Sequence, residues 1–130
     1  MIKDTIKEII RERIRIADET EDNWDYGIEQ CWKQCTEIFS ANIPESVDYF
    51  LNQCTDEELY WLSEDFENIA ERTQSRDLLI AWQNRLNSVL PKNYDQSKFE
   101  SNHMRNCVDY SEYYRSIEQD IKYAEGKLNC

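Results

Sequence analysis

Only four positions in 130, Gly27, Pro44, Pro91 and Gly126, carry glycine or proline. A β-rich chain needs many such residues to turn between short strands, and this one does not have them. Leu, Ile, Glu, Lys, Arg, Gln and Ala supply most other positions. These residues cost little in a helix, so the expectation is an all-α fold. Apolar residues also recur at helical spacing, with no strand-like alternation. A chain of this length suits a single domain over 1–130 and can bury a sizeable core. Mean hydropathy is low at −0.86, which alone would point to disorder. Four Trp, eight Tyr and four Phe argue against it, because they give far more aromatic surface than a disordered acidic segment carries.

Residues 2–18 predict a first helix with Ile2, Ile6, Ile9, Ile10 and Ala17 on one flank, widened by Ile14 and Ile16. Arg13 falls near the middle of that stripe, either as a snorkelling stem or, preferably, paired with a carboxylate from further along the chain. A second helix over 24–40 would bury Trp24, Ile28, Cys31, Trp32, Cys35, Ile38 and Phe39. Pro44 fits the first turn of a short third helix with Val47, Phe50, Leu51 and Cys54 inward. Thr55 and Glu58 form a capping box that starts a fourth helix over 56–73, whose stripe is Leu59, Leu62, Phe66, Ile69 and Ala70. Ser75 caps a fifth helix that ends before Pro91. From Phe99 one apolar phase runs through His103, Cys107, Tyr110, Tyr114, Ile117, Ile121, Ala124 and Leu128. Such a length calls for a break between 102 and 109, with Asp109 and Glu112 as a second capping pair. The total is six or seven helices, packed as helical hairpins in a compact array.

Charge is distributed very unevenly. Residues 16–71 hold 16 of the 27 carboxylates against a single cation, Lys33, and carry a net charge of −15, while the flanks are close to neutral. Self-repulsion of that size costs stability, and solubility or a cationic partner is the usual return. Five of these acids crowd into the turn DETEDNWD. On a helical wheel for 56–73, Trp61 lies outside the apolar stripe among Glu57, Glu64, Asp65 and Asn68, and Tyr60 lies nearer Glu71. An aromatic anchor inside an acidic rim is the pattern of an interface that captures a basic partner. The expected contact surface is Asp56, Glu57, Tyr60, Trp61, Glu64, Asp65, Asn68 and Glu71, joined by Asp18, Glu19, Glu21, Asp22 and Asp25.

Catalytic chemistry finds little footing. With two glycines there is no phosphate-binding loop. The only histidine, His103, has no nucleophile motif around it, and no metal-ligand signature appears among the acids. Cys31 and Cys35 stand four apart on one helix, but within an apolar stripe they read as buried thiols and not as zinc ligands. The expectation is therefore a non-enzyme without cofactor, metal or small-molecule substrate. A chain of net charge −12 would be repelled by nucleic acid. The charged N-terminus lacks a signal-peptide core, no stretch has the apolar length of a membrane span, and five cysteines, an odd number, fit reduced thiols; together these predict a cytoplasmic protein.

The run NIPESVDYFLNQCTDEELYWLSEDFENIAERTQSRDLLIAWQNRL, with its IPES helix start, TDEEL cap, WLSEDFE segment and following TQS, resembles the small acidic helical immunity proteins of bacterial toxin systems. These include those of contact-dependent growth inhibition. The resemblance covers about residues 43 to 90 and is one of pattern and composition. It implies a protein that binds a cognate basic toxin domain, a nuclease foremost, and covers its active site or substrate groove. The alternative is a helical scaffold or regulatory adaptor that takes a partner peptide or helix in an apolar groove.

Overall fold

In the computed structural model, which describes residues 2–129, helix follows helix from end to end. The α-helices are α1 (Ile2–Thr20), α2 (Asp25–Ala41), α3 (Ile43–Asp48), α4 (Asp56–Leu62), α5 (Phe66–Thr73), α6 (Arg76–Asn87), α7 (Asn102–Cys107) and α8 (Tyr110–Glu125). No strand occurs among the described residues. The chain is a single all-α domain. Helices α1 and α2 pack as a hairpin, α2 lies on α5, and α8 runs against both α5 and α6. Helix α4 is gripped by α1 on one side and α8 on the other.

Local chemistry sets most of the boundaries. The Thr55 hydroxyl accepts the Glu58 N–H and the Glu58 carboxylate accepts the Thr55 N–H, completing the expected capping box. Asn42, Ser75, Ser101 and Asp109 each accept an N–H three residues on, at Glu45, Leu78, Met104 and Glu112. These bonds satisfy N–H groups that a helix start leaves without a partner.

Three departures from the sequence reading have physical causes. The helix expected over 56–73 breaks at a 3₁₀ turn, Ser63–Asp65, where the Ser63 hydroxyl bonds back to the Tyr60 carbonyl. Helix α3 ends in a wide π-turn, Tyr49–Gln53, closed by Cys54 N–H to Tyr49 C=O at 2.9 Å. That extra residue per turn buries Tyr49 and Phe50 and leaves Leu51, expected inside, 43 % exposed. Finally, the single phase drawn from Phe99 slips: Met104, Val108 and Tyr113 are buried, whereas His103 and Cys107 are exposed. The break falls at 108–109, inside the interval expected.

The core is aromatic at its centre. Phe66 and Trp82 stack with ring centroids 3.9 Å apart, and Phe50 meets both edge-on. Phe39 and Tyr49 extend the cluster. Cys31, Cys35 and Cys54 are buried free thiols, as their apolar neighbours predicted, and burial raises the pKa of each. Cys130 lies outside the described residues.

Candidate functional site

Arg13 is the junction between the two acidic segments. It is 2 % exposed and sits on the buried face of α1. Its guanidinium forks onto Glu64, with Nε to Oε1 at 3.0 Å and Nη2 to Oε2 at 3.1 Å, and Nη1 reaches Asp22 Oδ1 at 2.6 Å. The same group lies 4.8 Å from the Trp61 ring centre and 5.9 Å from that of Trp32. Burial opposes its charge, but the bonds to Asp22 and Glu64 outweigh it and hold the guanidinium pKa above its ordinary value. For Glu64 the balance is the reverse: lost hydration raises its pKa against the pull of Arg13.

This arrangement corrects the expected surface at its centre. Trp61 is 2 % exposed, packed beside Arg13, Tyr60 and His103, and its Nε1 has no acceptor among the described residues. The wheel placed it outside because it assumed one buried side, whereas α4 is buried on two. Tyr60 is half-buried, stacked on Tyr113, with its pKa raised to about 12 by burial. Asp65 is 0 % exposed and belongs to the interior, where it accepts from Thr36 Oγ1 at 2.6 Å and Asn68 Nδ2 at 2.9 Å.

Most of the other expected contact residues brace the fold. Asp18 accepts the Asn102 N–H at the start of α7, and Glu57 accepts both the Glu100 and Ser101 N–H groups at 2.9 Å. Asp56 binds Arg85 at 2.6 Å. Glu19 pairs with Arg15, and Glu71 with Lys127. Glu21 and Asp25 are exposed at the α1–α2 turn. That turn holds two successive non-glycine residues in the left-handed region, Glu21 at φ 54° and Asp22 at φ 63°. Such strain persists only where surrounding contacts fix it, and the Arg13 bond to Asp22 is one of them.

The sequence reading also missed a feature of the same turn. Trp24, assigned to the buried stripe of α2, is 43 % exposed, and Tyr26 is 65 % exposed. Their ring centres stand 6.3 Å apart, tilted by 46°. Beneath them is Gly27, where an added Cβ would lie 2.2 Å from the Trp24 benzo ring. The available signal was a glycine in the first turn of a helix, where helix propensity gives no reason for one. A groove of about 260 Å³ opens here, with Glu8 and Glu12 of α1 along one side.

Among the described residues no group of three or more His, Cys, Asp or Glu side chains is placed to hold a metal ion. No helix is long and apolar enough to cross a membrane. Comparison with protein-family models, curated proteins and solved structures returns no match.

Proposed function

We propose that this chain is a non-catalytic inhibitor of the immunity-protein class, which binds a basic toxin domain, a nuclease foremost, and blocks it in the cytoplasm. The observation that carries the reading is the net charge of −15 over residues 16–71, a segment whose one cation is Lys33. Cross-bracing by Arg13 and Arg85 fixes the carboxylates in place before a partner arrives. A preset charged surface speeds encounter and rejects partners of like charge. The pattern of residues 43 to 90 points the same way. The test is co-expression with the basic domain encoded directly ahead of this chain's gene. Relief of that domain's toxicity, with a one-to-one complex on purification, is expected. No basic neighbour, or toxicity that the chain leaves unchanged, contradicts the proposal.

A second reading, an adaptor for an apolar peptide or helix, draws on one observation. A groove of about 420 Å³ between α3 and α6 is lined by Ile43, Val47, Leu51 and Ile80, with Leu51 and Ile80 each more than 40 % exposed. Leu51→Asp with Ile80→Asp separates the readings: loss of partner binding favours the adaptor, and unchanged binding favours the acidic inhibitor.

A further inference from the structure

We infer that the Trp24–Tyr26 groove is the anchor site for an arginine side chain of the basic partner, an assignment that rests on the inhibitor reading above. Trp24 and Tyr26 are two adjacent exposed aromatics in van der Waals reach of each other, and large rigid aromatics are the usual hot-spot residues of interfaces. The groove fits a cation. Its walls include Glu8, Ile9, Glu12, Trp24, Tyr26 and Gly27, and no Lys or Arg lines it. Exposed Asp25 and Glu21 lie at the same turn. Its volume, about 260 Å³, is below the range of sites for small ligands, so it suits one side chain and not a cofactor.

Arginine fits better than lysine. A guanidinium can lie on an aromatic face while its N–H groups fork onto a carboxylate, whereas an ammonium is a compact, strongly hydrated point charge. The fold already contains this combination, with Arg13 set on Trp61 and forked onto Glu64. The groove presents the same two receptors, indole and carboxylate, outward. Glu8 and Glu12 have partners on their own helix, Arg11 at 3.5 Å and Arg15 at 2.5 Å. The Glu8 pair is a single solvent-exposed contact of the kind that contributes little, so an incoming guanidinium can replace Arg11 there, whereas at Glu12 it competes with a two-point fork from Arg15.

Gly27 is what makes the site testable. A Cβ at this position meets the flat of the Trp24 ring and drives it off the helix. The backbone φ is not positive, so alanine itself is tolerated. Gly27→Ala therefore dismantles the groove without touching the core.

The probe is an acetylated peptide of five alternating Arg-Gly pairs, titrated at low salt by calorimetry in every variant, with the indole N–H resonance of Trp24 followed as well in the proteins that keep it. A saturable shift is expected, weakened about tenfold by Trp24→Ala and several-fold by Gly27→Ala, with the thermal midpoint of the latter unchanged or raised. Glu37→Gln, at an exposed site on α2 outside the groove, leaves the affinity as it was, and a Lys-Gly peptide binds more weakly. Shifts scattered over all acidic faces, or equal affinity in Trp24→Ala, overturn the assignment. The basic domain of the co-expression test separates the two claims. Inhibition that survives Trp24→Ala with unchanged affinity overturns the anchor alone. Saturable peptide binding at Trp24 without any inhibition by the wild-type chain overturns the inhibitor reading alone.

Discussion

Arg13 and Glu64, 51 positions apart, form a two-point ion pair that locks α1 to the kink between α4 and α5. The pair is reinforced by Asp22, so one guanidinium ties together both acidic segments of the chain. Replacing Arg13 by Ala strands two carboxylates and opens a gap beside Trp61. Both carboxylates keep access to water, so the loss comes from the gap and the missing charge-assisted bonds, and we expect roughly 2–4 kcal/mol. Lysine cannot supply the fork and restores only part of it. Asp22→Ala, at a carboxylate whose side chain is 51 % exposed, costs less than Arg13→Ala. Urea unfolding of the three variants tests that order, and equal losses for Asp22→Ala and Arg13→Ala contradict it.

The elements themselves were largely legible in the sequence. Thr55 with Glu58, Ser75 and Asp109 marked helix starts from side-chain chemistry alone, because capping is local and depends on neighbours three residues away. Arg13 stood out as a cation in an apolar stripe, and its pairing with the acidic block followed. What the sequence did not show was set by contacts from distant elements. Trp61 is buried because Arg13 of α1 and His103 of α7 pack against it from distant parts of the chain, and no single-helix wheel contains that information. Trp24 is exposed because it stands ahead of the first turn of α2, lying across Gly27. The two tryptophans thus exchange their expected places. The carboxylates stood out in the sequence, but their partners, Arg85 for Asp56 and the backbone of residues 100–102 for Asp18 and Glu57, lie many residues away.

Asp65 gives the chain a pH dependence. Burial raises its pKa to about 6, despite hydrogen bonds from Thr36 and Asn68 that favour the ionised form. The folded state holds this proton more tightly than the unfolded one. Its contribution is therefore fully present below the unfolded pKa and is lost as pH rises through about 6. Asp65→Asn removes the titration. The stability of the variant relative to wild type should rise with pH across this window and level off above it, by up to about 3 kcal/mol. Thermal melts at pH 4 to 8 check this, and a constant difference between the two proteins contradicts it.

Glu58 joins two devices, since Oε1 accepts both the Thr55 N–H of the capping box and the hydroxyl of fully buried Tyr49 at 2.8 Å. Glu58→Ala should cost roughly 2–4 kcal/mol, the sum of a lost cap and an orphaned phenol. Tyr49→Phe removes the orphan, so in the Glu58→Ala background it should cost less than in wild type. A double-mutant cycle by chemical denaturation measures the coupling, and simple additivity contradicts the account.

Trp24 is separable from the others by its environment, because Trp32, Trp61 and Trp82 are all buried. Trp24→Phe should abolish the red-shifted, acrylamide-accessible part of the emission and leave stability within about 0.5 kcal/mol. Quenching that persists in the variant contradicts the placement of Trp24 at the surface.

The inhibitor reading stands most directly on the rate at which the complex with the basic domain forms. Stopped-flow mixing at increasing salt should show association slowing by at least about tenfold between low salt and 0.5 M, with dissociation much less affected. An association rate indifferent to ionic strength contradicts capture by the acidic face.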